Sequence, residues 1–217
     1  MRAYHDRPSG TVRINLPKLA AHRVLAPAFG RFARAYPEVR LEVTVDDGLT
    51  DIVAGGFDAG VRPGERLQCD MVAVRITPDL RTSVVGSPTY LAVRSPPLTP
   101  EDLQHHTCIN YRWSGGGALY RWPFEREGKA FDVQVEGPLT LNDTDLILAA
   151  ALDGMGLACL LEDRVAPDLA AGRLVRVLED WSPTFPGFFL YYAGRRQTPP
   201  ALRALIDFLQ IAKRSDL

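Results

Sequence analysis

The chain carries no surplus of positive charge. Its 25 Lys and Arg residues face 26 Asp and Glu, for a formal net charge of −1. A domain that grips nucleic acid by itself usually carries a clear basic excess, so DNA contact by this chain alone is not expected. Cysteine is scarce as well. Cys69, Cys108 and Cys159 are an odd number with no CxxC spacing, which suits reduced thiols in a cytoplasmic protein better than a disulfide framework. No apolar run approaches the ~20 residues of a membrane helix. The opening "MRAYHDRPSG" lacks the apolar core of a secretory signal. GxSxG, HExxH and Walker signatures are all missing. His105 and His106 are adjacent; on a helix they would point about 100° apart and could not share a metal. They read as a surface pair, so no catalytic residue, metal or cofactor is expected.

What is present is ordinary soluble-protein composition: 46% hydrophobic and 24% charged over 217 residues. That length suits one large domain or two small lobes. "TVRINL" (Thr11–Leu16) reads as a strand. Ala21, Leu25, Ala28, Phe29, Phe32, Ala33 and Tyr36 then follow helical spacing, with a kink or an early helical turn expected at Pro27. "VRLEVTV" alternates, with Val39, Leu41, Val43 and Val45 on one face. After "DDG" a short helix is expected over Leu49–Ala54, and "FDAGV" returns as a strand. This βαβαβ order predicts a parallel sheet covered by helices. A second unit of similar build follows. Its strands are "RTSVVGS", "TCINYRW", "KAFDVQVEG" and "RLVRVL"; its helices are "PTYLAV", one started by "TPEDLQ" at a Thr99 cap with Pro100 at its first position, and "EDRVAPDLAAG" ended by Gly172. "FFLYYAG" and the amphipathic "PPALRALIDFLQIAKR" close the chain.

The stretch Leu141–Leu161, "LNDTDLILAAALDGMGLACLL", opens with four residues that each start helices well, where one cap would suffice. Gly154 suits a left-handed helix end, and Gly156 a tight entry to the next strand. Cys108 and Cys159 fall in apolar strands and read as small core residues. Asp46–Gly48 reads first as a turn and second as the rim of a pocket. "SGGG" (Ser114–Gly117) reads as a hinge or a pocket-edge loop.

The order of these segments resembles the effector-binding domain of LysR-type transcriptional regulators. The matching stretches run from "SGTVRINLP" through "LAPAFGRFARAYPEVRLEVTV", "LTDIVAGGFDAGVRPGE", "VVGSPTYLA", "LQHHTCINYR", "LTLNDTDLILAAALDGMGLACL" and "GRLVRVLEDW" to "TPPALRALIDFL". Each is a short strand–turn–helix piece; their order over nearly the whole chain carries the likeness. A full regulator of this type also has an N-terminal winged helix-turn-helix and a linker helix. "MRAYHDRP" would be only the tail of that linker, making the chain a piece of a longer regulator or a stand-alone effector domain.

The resemblance implies an α/β fold of two Rossmann-like lobes joined by two crossing strands, like the type 2 periplasmic binding proteins. Residues 1–10 would be a linker remnant, 11–82 with 190–217 the first lobe, and 83–189 the second. A small-molecule effector, an organic acid favoured over an amine, would bind in the cleft between lobes, where strand carboxyl ends gather. The first lobe would offer Leu16, Pro17, Lys18, Leu19, Asp46, Asp47 and Arg62. The second would offer Ser87, Trp113, Ser114, Asn142, Asp143 and Thr144. Leu16 and Pro17 stand where the family often has a hydroxyl residue. The implied partners are a second copy of the chain, a tetramer in the full-length regulator, DNA through the N-terminal domain alone, and RNA polymerase. No membrane partner is implied. A solute-binding protein of a transporter is the alternative.

Overall fold

The computed structural model describes residues 7–48, 51–64, 71–113, 117–194 and 198–215. The first elements are β1 (Gly10–Leu16), α1 (Lys18–Ala20), α2 (Phe29–Ala35), β2 (Val39–Val45), β3 (Ala59–Pro63) and β4 (Met71–Arg75). Then come β5 (Leu80–Gly86), α3 (Pro88–Val93), β6 (Asn110–Tyr111), β7 (Trp122–Arg126), β8 (Lys129–Val133), β9 (Thr140–Leu141) and α4 (Thr144–Leu152). The last are β10 (Ala158–Leu161), α5 (Glu162–Ala170), β11 (Val175–Val177), β12 (Thr184–Phe185), β13 (Phe188–Ala193) and α6 (Pro200–Ser215). They divide into two compact units: Met1–Asp79 with Pro186–Leu217, and Leu80–Phe185.

Unit one is a five-stranded sheet in the order β2-β1-β3-β13-β4. β1 pairs in parallel with β2 and β3, while β13 runs antiparallel to β3 and β4. The alternation of β1 sends Val12, Ile14 and Leu16 into the core, at 1%, 0% and 0% exposure. β2 is an edge strand, so its apolar face is only half-covered and Val45 stays exposed. Helical backbone runs from Lys18 to Ala35, but not as one α-helix. Ala21–Leu25 widens to π geometry and Ala26–Ala28 tightens to 3₁₀. Pro27 explains the break, because it has no N–H and its ring crowds the preceding turn. Phe32 meets Phe208 of α6 edge-on at 5.3 Å. The helix expected over Leu49–Ala54 is not what forms. Leu49 and Thr50 lie outside the described residues, and the segment from Ile52 to Gly56 is a single turn. The Asp51 carboxylate caps that turn by accepting from Val53 and Ala54 N–H at 2.9 and 3.1 Å.

In unit two β5 lies between β10 and β11, antiparallel to both. A parallel bridge from Cys108 to Leu157 sets β6 beside β10, and β6 pairs in parallel with β9. β6, β9 and β10 therefore point one way and β5 the other. β7 and β8 form a hairpin that the sequence reading only half saw. Glu127 and Gly128, at φ 52° and 75°, make its turn. The core divides over the two sheet faces. Trp122, Phe124, Leu103 and Leu157 pack on one; Ile109, Ile147, Ala151 and Val165 pack on the other.

Candidate functional site

In unit one the carboxyl ends of β1, β2 and β3 are tied to one another. Leu16 carbonyl accepts the Asp46 N–H at 2.9 Å, and Asp46 Oδ1 accepts the Gly48 N–H at 2.9 Å, closing the turn expected there. Asp47 Oδ1 accepts the Lys18 backbone N–H at 2.9 Å. The loop after β2 thus caps the helical start after β1, where an N–H has no intrahelical partner. Pro17, Lys18 and Leu19 are half-buried in this turn, whereas the Leu16 side chain belongs to the core.

Arg62 is buried, at 3% exposure. Its Nη2 donates to Asn15 Oδ1 and, at 3.0 Å, to the Gly48 carbonyl; Nη1 donates to the Val61 carbonyl at 2.7 Å. The reading of the sequence gave it two roles, a clamp on a ligand carboxylate or a solvated or Asp-paired side chain. In the fold its guanidinium braces β1 and the loop after β2. Asn15 and Tyr191 stand on the same face as Arg62. Asn15 is level with Gly60 in the β1–β3 pairing, and Gly60 with Tyr191 in the β3–β13 pairing. A Cβ on Gly60 would sit 2.6 Å from the Tyr191 ring, so the absence of a side chain lets the ring lie flush on β3. Burial pushes the Tyr191 hydroxyl above its usual value, against the opposing pull of the Arg62 charge, while Asp51 adds to the rise.

In unit two Asp143 caps α4. Its Oδ1 accepts from Asp145 and Leu146 N–H at 2.9 and 3.1 Å. Asn142 is exposed and Thr144 half-buried at the first helical position. Asp145 is joined to Arg164 of α5 at 2.8 Å, so one of the four polar residues fastens two helices. Trp113 follows β6 and stands at the same sheet end as Asn142 after β9. Its ring meets Tyr111 at 5.1 Å and Tyr120 at 6.0 Å, both edge-to-face. Ser114 lies outside the described residues.

Ser87 does not join this group. It follows β5, the antiparallel strand, and so stands at the opposite end of the sheet. There it is buried and caps α3 by accepting the Tyr90 N–H at 3.2 Å, with Thr89 Oγ1 2.8 Å away. Gly154, at φ 83° just past the end of α4, would bring a Cβ to 3.1 Å from that Thr89 hydroxyl. The nine residues of α4 separate the two ends by about 14 Å at ~1.5 Å per residue. Strand direction, which single-sequence periodicity does not carry, decided this.

Burial pushes the Cys108 and Cys159 thiols up to about 12, as befits core residues. Tyr90 Oη accepts the Thr107 N–H at 3.0 Å and lies 3.0 Å from His106 Nδ1. Burial first, then the Arg94 charge, hold His106 below its ordinary value; Asp102 opposes them. Among the described residues no group of His, Cys, Asp and Glu is placed to hold a metal.

The family model for the LysR substrate binding domain matches residues 5–213. A Pseudomonas aeruginosa protein named as a putative transcriptional regulator is 43% identical over 98% of this chain and 70% of its own length. The Escherichia coli HTH-type transcriptional regulator PgrR is 43% identical over 94% of this chain and 69% of its own. The solved structure of CrgA, a LysR-type transcriptional regulator from Neisseria meningitidis, superposes with a TM-score of 0.81 at 26% identity, covering 97% of this chain and 71% of that one. The chain belongs to the LysR substrate-binding domain family. It is the substrate-binding domain of a LysR-type transcriptional regulator, not the solute-binding protein of a transporter. Its α/β fold is the type 2 periplasmic-binding-protein-like fold of those regulatory domains.

Proposed function

We propose that this domain senses a small organic molecule in the cytoplasm, without chemistry, through groups at the carboxyl ends of the parallel strands in each unit. One observation carries the reading: those ends gather backbone and polar groups in both units. Unit one presents the Pro17–Leu19 turn with Asp46 and Asp47; unit two presents Trp113 with Asn142 and Thr144. The Thr144 hydroxyl makes no hydrogen bond among the described residues, and the Trp113 ring adds an apolar wall. An organic acid is favoured over an amine by the α4 start and by Lys18. A helix N-terminus favours negative charge by ~0.3–1 kcal/mol. Asp46 and Asp47 pull the other way, although each already accepts a backbone N–H through Oδ1.

The test is a thermal-shift screen of aromatic and aliphatic acids, amines and neutral metabolites, repeated on Thr144→Ala and Trp113→Ala. Acids should raise the melting temperature, and at least one variant should weaken the effect. Hits confined to amines, or hits that neither variant changes, would overturn the assignment.

The same domain would mediate self-association, with the Leu19–Tyr36 segment and β2 of one chain against α4 of another. Phe29, Val45 and Leu146 on these elements are 46%, 51% and 56% exposed, apolar area that a two-fold contact would cover. DNA and RNA polymerase would be met only by a full-length regulator.

A further inference from the structure

Asn15 is absent from the residues that sequence spacing singles out, yet it carries an unmet hydrogen-bonding group. Its side chain is buried, at 1% exposure, and among the described residues Nδ2 has no hydrogen-bond partner. The orientation of the amide is fixed. Arg62 Nη2 faces one end of it, and a guanidinium only donates, so that end is the oxygen. The nitrogen is left pointing the other way. A buried donor with nothing to bond is rare in native proteins and calls for an acceptor.

The described residues do not supply one: Gly48 carbonyl is turned to Arg62 and Asp51 Oδ1 to the Val53 and Ala54 N–H groups, and neither bonds Nδ2. The Tyr191 ring lies flush on Gly60, level with Asn15 on the same sheet face, and its hydroxyl makes no hydrogen bond among the described residues. Two polar groups from β1 and β13 thus flank Gly60, level with the carboxyl end of β1 and early in β3. The apolar Leu16 and Pro17, which follow Asn15, offer no side-chain donor there.

We propose that Asn15 contacts the effector, taking an oxygen acceptor of the ligand, a carboxylate or a carbonyl, between its Nδ2 and the Tyr191 hydroxyl. This rests on the effector-binding reading above. The polar contact of unit one then comes from within the strand, and Arg62 is a positioning residue that holds the amide the right way round.

The probes are sodium acetate and acetamide, titrated separately into the whole 15N-labelled chain at ionic strength held constant with sodium chloride. The readout is the Asn15 side-chain NH₂ pair, assigned by its loss in Asn15→Asp. That variant keeps the shape and the Arg62 contact while removing the donor. A saturable displacement of the pair by at least one probe is expected. Acetate acting alone marks a site for anions, and acetamide acting alone a site for neutral carbonyls. Asn15→Asp should weaken the probe-dependent shifts of the Leu16 and Gly60 backbone amides at least tenfold. If other resonances move while the Asn15 pair stays still, ligands bind elsewhere and Asn15 holds only water; the proposal fails and the effector reading stands. If no resonance moves with either probe, both fail.

Discussion

The Asp47 carboxylate caps the Lys18 backbone N–H at 2.9 Å across twenty-nine residues of sequence. Two loops that leave adjacent parallel strands are thereby locked at the place where a ligand would meet them. Removing a cap of this kind costs ~0.5–2 kcal/mol, and 1 kcal/mol moves the melting point of a protein this size by roughly 2–4 °C. Asp47→Ala should therefore melt a few degrees lower in calorimetry. Asp47→Asn keeps an acceptor oxygen and should lose much less. Equal losses in both variants would show that the cap is not what holds the loop.

Gly154 should resist substitution for two reasons. Its φ of 83° is a conformation that costs other residues roughly 1–2 kcal/mol, and a Cβ would press on Thr89 Oγ1. Chemical denaturation of Gly154→Ala should show a loss of at least that size. A loss below about 0.5 kcal/mol would contradict the close approach.

Cys108 and Cys159 should be inert in the folded protein. With thiols pushed up to about 12 from an ordinary 9.0, the thiolate fraction at pH 8 falls roughly a thousandfold. In a Cys69→Ser background, alkylation of both should be slow in buffer and fast in denaturant. Fast labelling in buffer would show that the strands open readily.

His106 gives a pH-dependent share of stability with a definite sign. Its folded value lies below the ordinary 6.5, so the unfolded chain takes up a proton first as pH falls. The contribution is full above about 6.5 and is lost as pH drops through the lower folded value. The stability gap between wild type and His106→Asn should shrink from pH 7.5 to pH 5.5. A gap that widens on acidification would reverse the assignment.

Much of the fold was legible in the residues, because burial follows periodicity. The alternation of β1 and the spacing of Leu25, Ala28 and Phe32 mark the core side directly, although Phe29, which fits the same helical spacing, stays exposed. Asp46–Gly48 also read correctly as a turn, and Asn142–Asp145 as a helix start, since both depend on neighbours in sequence; that Asp143 makes the cap came from the fold. Ser87, Asn15 and Tyr191 were not legible in this way. Ser87 needed the direction of β5. Arg62 is paired through Asn15, forty-seven positions away, and Tyr191 reaches Gly60 only by strand pairing. The one local hint was an asparagine inside an otherwise apolar strand, where a polar side chain needs a partner.

Titration calorimetry of the chain with the strongest hit of the screen bears most directly on effector sensing by these strand ends. Saturable binding near one ligand per chain is expected, with affinity at least tenfold weaker in Thr144→Ala or Trp113→Ala while Thr144→Ala keeps the wild-type melting point without ligand. Binding of unchanged affinity in both variants would contradict the placement of the effector at these residues.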